Sequence, residues 1–395
     1  MTKSEAELSD KPARRLRVAV LNRIFKSTGG GAERYSIALV EQLAAQHEIH
    51  VFAQDIDHHW PGVHYHRVPV PLVRPRWINQ LWFASVTWLK TRRGFDVVHS
   101  HENTWHGNVQ TVHVLPVRYN LFVGRTGWRL AMRWFKVITS PRLITYLALE
   151  KFRYAVGDGR AIVLPSKSLE NTMLSTFAGI APALKVLTPG IAQVVGVASL
   201  AAKCAARKAL HLPQQGKCIL FVGNDYKKKG LPSLLIALQR LDPECFLAVV
   251  GNPAQQAFVS AEIDRLGVQS RVFFLGSLGS VDQAYEAADC LAHPTLEDTF
   301  AMVVLEAMAH GLPVVVSGPS FCGIASLLSD GRNALILPDP LDADELASLL
   351  SSALYDADQR GLLSLGALVF AEHHLWSQQA LKLNAMYQSV IKAAG

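Results

Sequence analysis

The segment 293–318 constrains the fold more than any other part of the chain, because its pattern specifies several structural elements in succession. Pro294 comes first and is followed by an acidic turn, Glu297-Asp298-Thr299. The apolar stretch after this turn predicts a helix over 300–310. Thr299 stands where it can cap the first turn, and Gly311 stands where it can end the helix. The apolar run 312–316 is typical of a buried strand. The segment therefore predicts loop, helix, turn and strand, which is an α/β arrangement.

One carboxylate lies inside the predicted helix. Glu306 is flanked by apolar residues on both sides, and a carboxylate there is costly unless a partner hydrogen-bonds it. One interpretation is a core helix whose Glu306 meets a backbone or Arg partner. The other is a ligand site, in which free N–H groups near 300–302 hold an anion while Asp298 and Glu306 accept hydrogen bonds from its hydroxyls. Vicinal hydroxyls beside a diphosphate describe a nucleotide sugar.

The whole segment resembles the acidic motif of the family-four retaining glycosyltransferases of the GT-B fold. That motif has two glutamates that bracket seven residues, with Phe-Gly between them. The spacing holds here between Asp298 and Glu306, but the first acid is Asp and the usual Gly is Ala301. The resemblance extends from about Arg17 to the C-terminus and is tightest over 218–340. It implies two Rossmann-like, doubly wound α/β domains that face a cleft.

A glycine loop follows the first predicted strand, 16–24, and precedes a predicted helix, 32–46. The loop contains Gly29, Gly30 and Gly31. Strand, glycine loop and helix form the arrangement that cradles phosphate, although GGGAER is not the dinucleotide fingerprint. A tight turn that needs only glycine's freedom explains the loop equally well. The resemblance favours donor binding, because family members carry a Gly-Gly loop at this place.

A lysine loop follows the buried strand 218–222. The loop contains Lys227, Lys228 and Lys229. Three lysines in a loop usually form a solvated turn, but opposite a helix N-terminus they would clamp a diphosphate. The family has an Arg after its Val-Gly, where this chain has Asn224. The resemblance implies that Lys228 substitutes for that Arg and that Lys229 keeps the family's Lys.

The resemblance also implies a role for each matching residue. His113 would contact the sugar or phosphate of the donor. The nucleotide base would lie along the backbone of the strand 272–276, and Glu306 would hold the ribose. Catalytic roles fall to Asp298, His113, Lys228 and Lys229. Donor-binding roles fall to Gly29, Gly30, Gly31, Asn224, Phe274, Leu275, Thr299, Phe300, Ala301, Met302 and Glu306. No metal and no cofactor are expected beyond the nucleotide-sugar co-substrate.

Composition limits the class of protein. The chain has 395 residues, 50% of them hydrophobic, which is enough for two domains with separate cores. Five Cys without a C-x-x-C pair suit a reducing compartment and argue against a disulfide framework or a structural zinc. Without a signal peptide or an apolar span, we expect a cytoplasmic protein, soluble or peripheral.

The formal net charge of +7 and the pI of about 9.1 indicate an anionic partner. No zinc finger, aromatic RNA-binding signature or basic heptad supports nucleic acid. Two regions, 74–93 and 125–142, interleave Trp and Phe with Arg and Lys, which is typical of helices in a membrane interface. Partly buried helices with solvated cations are the alternative. The resemblance places acceptor-side helices here and favours an anionic membrane surface.

Two other patterns could suggest a metal. Asp55-Ile56-Asp57 follows a predicted strand and precedes Trp-Pro-Gly, so a turn explains it better. Four histidines, His99, His101, His106 and His113, lie near two predicted strand ends, but no known ligand spacing completes a site. Neutral, hydrogen-bonded histidines are expected instead.

The resemblance, together with these observations, predicts a retaining, metal-independent hexosyltransferase. It would move a sugar from a nucleotide-diphosphate donor, with UDP favoured, to a lipid-linked or lipopolysaccharide-core saccharide acceptor on the inner face of the membrane. A nucleotide-sugar epimerase of the same fold and a non-catalytic nucleotide-sugar or lipid-binding protein are the alternatives. The predicted organisation is a polar tail (1–15), an acceptor-side domain (16–192), a linker (193–216), a nucleotide-sugar domain (217–370) and a helix packing back on the first domain (371–395).

Overall fold

Strands and helices alternate along the chain, as the sequence predicts. The computed structural model describes residues 14–26, 31–72 and 74–394, so Gly29, Gly30 and most of the predicted tail lie outside the described residues. The strands are β1 (Arg17–Leu21), β2 (Ile24–Phe25), β3 (Glu48–Ala53), β4 (Asp55–Ile56), β5 (Val63–Arg67), β6 (Val97–Ser100), β7 (Val109–Thr111), β8 (Ala161–Leu164), β9 (Leu184–Val186), β10 (Lys217–Val222), β11 (Cys245–Val250), β12 (Val272–Gly276), β13 (Cys290–His293), β14 (Val314–Ser317) and β15 (Leu335–Leu337).

The helices connect these strands and cover the sheets. They are α1 (Gly31–Ala44), α2 (Arg76–Thr91), α3 (Val117–Phe122), α4 (Gly127–Ile138), α5 (Pro141–Arg153), α6 (Lys167–Thr176), α7 (Leu200–Ala209), α8 (Leu231–Arg240), α9 (Gln256–Leu266), α10 (Asp282–Ala287), α11 (Met302–Ala309), α12 (Ala343–Tyr355), α13 (Ala357–Glu372) and α14 (Trp376–Ala394). Among the described helices, none combines the length and apolar character that crossing a membrane requires.

The chain forms two compact units. Unit 1 comprises the chain up to Thr111, Trp128–Ala161 and the chain from Asn384, while unit 2 comprises Val112–Gly127 and Ile162–Leu383. Unit 2 thus takes in two stretches that the sequence-based division assigns to the first domain. The last helix, α14, is divided, with its later part in unit 1. The domain boundaries given by the sequence stay a prediction.

Unit 1 contains parallel strands whose neighbours follow the order β5-β3-β1-β6-β7. The strands β1, β3 and β6 are almost wholly buried, as expected for parallel strands covered on both faces. Phe83 of α2 packs into one core cluster with Leu21, Phe52 and Val98. The short strands β2 and β4 pair with each other, so Asp55 lies in a strand and not in the predicted turn.

Unit 2 contains a parallel sheet in the order β12-β11-β10-β13-β14-β15. Alternate residues of β10 enter two cores: Leu220 packs with the residues of α11, and Phe221 packs with those of α8 and α12. The chain moves outward from β10 to β12 and then returns to the other side of β10 at β13. The order of strands therefore reverses between β10 and β13, and such a reversal is where open α/β sheets bind ligands.

The central segment differs in detail from the prediction. The helix α11 begins at Met302, two residues later than predicted, and Ala301 occupies its N-cap position with no side-chain cap. The predicted cap by Thr299 is therefore wrong. The strand β14 begins at Val314 and not at residue 312, because the Leu312 amide donates to the carbonyl of Ala307 in the turn after α11.

Candidate active site

The loops that follow β10 and β13 lie against each other at the reversal of the sheet in unit 2. The amide of Leu296 donates to the carbonyl of Lys228 over 2.8 Å. Gly230 has a left-handed backbone with φ of 80°, and a Cβ there would lie 1.8 Å from the carbonyl oxygen of Pro294. Only glycine allows this approach. The lysine loop and the acidic turn, separated by some seventy residues in the sequence, are thus held in contact.

Two lysines of this loop pair with the two carboxylates of the acidic turn. Lys229 Nζ lies 2.5 Å from Asp298 Oδ2, and Lys228 Nζ lies 2.5 Å from Glu297 Oε1. The first pair is mostly buried, with side chains 21% and 17% exposed, whereas the second pair is 44% and 43% exposed. The buried pair is therefore a fixed part of the fold, and the exposed pair is weak and easily exchanged.

Asp298 has four hydrogen-bond partners. Its Oδ1 accepts from the amides of Phe300 (3.1 Å) and Ala301 (2.8 Å), and its Oδ2 accepts from Lys229 and from His293 Nε2 at 3.3 Å. Burial would raise the pKa of Asp298, but the hydrogen bond from His293 and the charge of Lys229 outweigh it and hold the pKa far below its usual range. Burial lowers the pKa of His293, which is neutral at pH 7.

These contacts correct one part of the predicted site. The amides of Phe300 and Ala301 were expected to be free for an anionic ligand, but both donate to Asp298. An Asp side chain commonly accepts hydrogen bonds from the amides two and three residues later, which is how it closes an Asx turn. The amide of Met302, the first residue of α11, is the member of the predicted set that this turn does not use.

A third loop, 318–324, is hydrogen-bonded to the acidic turn. The amide of Asp298 donates to the carbonyl of Phe321, and the amide of Gly323 donates to the carbonyl of Asp298. A Cβ on Gly323 would lie 2.0 Å from the carbonyl oxygen of Thr299, so this position also requires glycine. Three loops, each following a strand of the same sheet, therefore fix the position of Asp298.

Two other predicted residues are joined to this region. Thr299 donates its hydroxyl to the carbonyl of His113 over 3.0 Å, which brings His113 to the acidic turn. Glu306 accepts a hydrogen bond from the hydroxyl of Tyr285 over 2.8 Å. A tyrosine was not among the partners expected for Glu306, since the sequence suggested the backbone or an Arg.

The remaining predicted residues that the structure describes are not among the hydrogen-bond partners of the acidic turn. Asn224 is exposed in the loop after β10, which also carries the three lysines. Phe274 and Leu275 lie on β12, the outer strand beyond β11, where Phe274 stacks on the ring of Tyr226. Gly31 begins α1 in unit 1. Of the four histidines, His99 is hydrogen-bonded to Tyr387 and Thr111 as expected.

His106 departs from the expectation of a hydrogen-bonded ring. Burial lowers the pKa of His106 to about 4, so it is neutral as predicted. Both of its ring nitrogens lack a hydrogen-bond partner within the described part of the chain.

A cavity in unit 2, lined mainly by residues with polar side chains, was not predicted. Its volume is about 380 Å³, which is within the range of small-molecule sites. It is lined by Tyr119, Lys167, Ser168, Asn171, Thr172, Ser175, Pro319, Ser320 and Ser326. The signal that could have found it is the polar start of α6 directly after the buried strand β8, the same signal that located the lysine loop.

Two solved structures are similar to this one over nearly the whole chain. The crystal structure of WaaG, a glycosyltransferase involved in lipopolysaccharide biosynthesis, matches with a TM-score of 0.78 over 93% of this chain and 98% of that chain, at 21% identity. Sucrose-phosphate synthase from Thermosynechococcus elongatus matches with a TM-score of 0.77 over 96% of this chain and 100% of that chain, also at 21% identity. At these identities the likeness shows the fold, and the predicted GT-B fold is confirmed.

The sequence itself matches two family profiles in succession. Glycosyltransferase Family 4 matches residues 29–192, and Glycosyl transferases group 1 matches residues 203–363. The chain belongs to the family-four glycosyltransferases of the GT-B fold.

Curated relatives are similar over part of their length. The lipopolysaccharide glucosyltransferase WaaG of Escherichia coli K12 is 32% identical over 154 residues, which are 38% of this chain and 40% of that protein. The D-inositol 3-phosphate glycosyltransferase of Stackebrandtia nassauensis is 26% identical over 328 residues, 75% of this chain and 69% of that protein. The sequence matches thus span less than half of the length of WaaG and about two thirds of the length of the second relative.

One unusual backbone position coincides with a departure from the family pattern. Family-four glycosyltransferases usually have glycine where this chain has Ala301, and Ala301 has a left-handed backbone with φ of 74°. Glycine adopts this conformation freely, whereas a residue with a Cβ is strained in it. The departure from the family pattern is therefore a site of backbone strain at the start of α11.

The strain at Ala301 predicts that Ala301→Gly stabilises the protein. The left-handed backbone costs a residue with a Cβ about 1–2 kcal/mol, and glycine's greater freedom in the unfolded chain offsets about 0.5–1 kcal/mol of that gain. We expect urea unfolding to show a rise of about 0.5–1 kcal/mol in the free energy of unfolding. The control Ala205→Gly, in the exposed interior of α7, should lower it by about 1 kcal/mol. A loss in both variants would contradict the strain.

The buried ion pair predicts a pH-dependent effect of Lys229→Met. Methionine keeps an unbranched side chain but removes the ammonium beside Asp298, so the free energy of unfolding at pH 7 should fall by about 1.5–3 kcal/mol. The pKa of Asp298 is depressed in the folded protein, so the stabilisation is complete above its unfolded pKa, about 4, and is lost as the pH falls through the folded pKa. The difference between wild type and variant, measured by urea unfolding, should therefore shrink on acidification.

The matched control is Lys227→Met in the same loop. Lys227 is exposed, and its Nζ lies 6.0 Å from the centre of the Phe258 ring. We expect a change within about 0.5 kcal/mol, as for most surface substitutions. An equal loss in both variants would show that the Lys229–Asp298 pair is not the cause.

Proposed function

We propose that this protein transfers a sugar from a nucleotide-diphosphate sugar, with UDP as the favoured carrier, to a lipid-linked or lipopolysaccharide-core saccharide. The transfer retains the anomeric configuration and needs no metal. The observation that carries this proposal is the lysine loop, paired with the acidic turn at the reversal of the sheet in unit 2. Lysines at that position suit the charge that develops on a leaving diphosphate.

The two lysines have different tasks in this proposal. Lys228 is half-exposed and its partner Glu297 is equally exposed, so a diphosphate can replace Glu297 at little cost. Lys229 is held by Asp298 in a mostly buried pair and stays in place when the donor binds. A charge that is fixed before the reaction needs no reorganisation in the transition state, which is the property that makes such groups effective.

The two acids also differ. Asp298 acts through Lys229 and through the turn at the start of α11, because all four of its contacts fix neighbouring groups. Glu306 has the carboxylate that suits ribose hydroxyls, with Tyr285 as a donor on its Oε2. When the nucleotide sugar binds, its ribose hydroxyls would donate further hydrogen bonds to this carboxylate. A charged hydrogen bond of this kind is worth about 1.5–3 kcal/mol.

Similar proteins support the donor and the acceptor. A solved structure of HepE from Anabaena, 18% identical with a TM-score of 0.72, contains UDP-glucose. WaaG of Escherichia coli K12 is a lipopolysaccharide glucosyltransferase. We assign an analogous acceptor class to this chain. Its cavity beside α6 is rich in hydroxyl and amide side chains, which suits a saccharide. None of these findings favours an epimerase.

The exposed apolar face of α4 supports a lipid-linked acceptor. One face of α4 exposes Trp128 (72%), Phe135 (65%) and Ile138 (69%), which recur at helical spacing. Arg129 and Lys136 are exposed on the same short helix. Large apolar side chains beside cations are typical of helices that lie in an anionic membrane interface. We infer a peripheral protein on the cytoplasmic face of the membrane.

The nucleotide part of the proposal predicts the effect of Glu306→Gln. Loss of one charged hydrogen-bond acceptor should weaken UDP binding by about 10- to 150-fold, measured by calorimetric titration. A carboxylate that holds the ribose acts in ground and transition states alike, so KM for the donor should rise more than kcat falls. A panel of nucleotide sugars, screened for the largest rise in melting temperature, identifies the donor for this assay.

The matched control is Tyr285→Phe, which keeps Glu306 and removes its hydroxyl partner. Binding of UDP should stay within about threefold of wild type, far less than the loss in Glu306→Gln. Equal affinity of wild type and Glu306→Gln for UDP would overturn the assignment of Glu306. Failure of every nucleotide sugar to raise the melting temperature would overturn the proposed function.

The membrane part predicts that the protein sediments with anionic vesicles at low salt and is released as salt rises, since screening acts within about 8 Å at physiological salt. The triple variant Trp128→Ser/Phe135→Ser/Ile138→Ser should partition into vesicles at least about tenfold less, because burying one large apolar side chain is worth about 1.5–3 kcal/mol.

The control is Leu200→Ser/Leu341→Ser/Leu365→Ser, which removes three equally exposed leucines from unit 2. It should sediment like the wild type. If the wild type stays in the supernatant with and without vesicles, or if both triple variants lose binding alike, α4 is not a membrane contact.

A further inference from the structure

Three histidines and a glutamate lie on one face of the strands β3 and β5 in unit 1. His50 of β3 and His64 of β5 are register partners. Glu48 lies two residues before His50 and His66 lies two residues after His64, a spacing that keeps side chains on the same face of a strand. The ligand atoms of Glu48, His50 and His64 all lie within 4.8 Å of one another. The proposed transferase chemistry uses none of them.

We propose that Glu48, His50 and His64 bind a divalent transition-metal ion, with Zn²⁺ as the probe, and that the bound ion stabilises the pairing of β5 with β3. Two imidazoles and one carboxylate suit zinc and copper, whereas magnesium and calcium prefer oxygen ligands alone. This site is independent of the metal-free sugar transfer proposed above, and its test does not need an activity assay.

His50 is already oriented as a metal ligand would be. It is buried, its Nδ1 is hydrogen-bonded to His66 Nε2 over 2.8 Å, and its Nε2 faces Glu48 Oε1 at 2.8 Å. Metal-bound histidines almost always use the second ring nitrogen in such a hydrogen bond, which fixes the ring. His66 therefore orients the ring. Nε2 of His50 faces Glu48 and also accepts a hydrogen bond from Arg17 Nε over 3.3 Å, which a bound metal would replace.

The other two ligands can move into place. Ligands about 2.0–2.2 Å from a tetrahedral zinc are separated from one another by about 3.4 Å, which is closer than the present maximum of 4.8 Å. Glu48 is 41% exposed and His64 is exposed, so side-chain rotation can close this gap without moving a strand. The strands hold His50 and His64 opposite each other, and their rings stack 4.7 Å apart.

Arg17 is the group that competes with a metal. Its Nε lies 3.1 Å from Glu48 Oε1, where it supplies the positive charge that a bound ion would replace. Arg17 is 45% exposed, and it also donates to the carbonyl of Gly94 and lies over the ring of Phe95. These contacts can keep the guanidinium in place after it leaves Glu48. Removal of the Arg17 charge should therefore strengthen metal binding, which an adventitious surface site would not predict.

The test uses the full chain without a histidine tag, titrated with Zn²⁺ in a calorimeter and followed by melting temperature. Wild type should bind one ion and melt at a higher temperature with it. His64→Ala should weaken binding by at least about tenfold and lose the rise in melting temperature. Arg17→Met should bind Zn²⁺ more tightly than wild type. His59→Ala, which removes an exposed histidine outside the cluster, should match the wild type.

The outcomes separate this site from other zinc binding. If wild type shows no saturable binding, or if His64→Ala binds and melts like the wild type, the proposal is overturned. Equal weakening in His59→Ala and His64→Ala would assign the ion to scattered surface histidines, which also overturns it. A rise in melting temperature with Mg²⁺ equal to that with Zn²⁺ would contradict the choice of a transition metal.

Discussion

The buried pair of Lys229 and Asp298 is the interaction on which the site in unit 2 depends. It joins the loop after β10 to the loop after β13, at the position where the order of strands reverses. A buried ion pair is favourable only when its remaining hydrogen bonds are satisfied, because both charges have left water. His293 and two backbone amides satisfy Asp298, and the close approach of Gly230 to Pro294 holds the two loops together.

The departures from the family pattern fall around this pair. An Asp in place of the usual Glu is short enough to accept hydrogen bonds from the amides of Phe300 and Ala301. Those amides are then unavailable to a ligand, and Ala301 is held in a left-handed conformation. Asp298 thus strengthens the turn, and in the proposed function the lysine loop would be the main source of positive charge for a diphosphate.

The sequence predicted what local pattern determines and missed what tertiary contact determines. The buried strand at 218–222 and the helices around it follow from runs of apolar residues, and the structure has them. The start of α11 could not be predicted from the sequence, because the left-handed conformation of Ala301 before it depends on the hydrogen bonds of Asp298. Tyr285 as the partner of Glu306, and His64 as the partner of His50, depend on packing and strand register, which no local pattern in the sequence specifies.

The difference between the two lysines shows how such a site can be both stable and open to a ligand. If both pairs were buried, a diphosphate would have to break a satisfied ion pair, and the cost of leaving a carboxylate unpaired would oppose binding. If both were exposed, neither ammonium would be fixed before the reaction. Here Lys229 is fixed by Asp298, while Lys228 is released from Glu297 into water at little cost. In the proposed transfer, one cation would then supply preorganised charge, and its neighbour would supply the charge that exchanges between protein and donor.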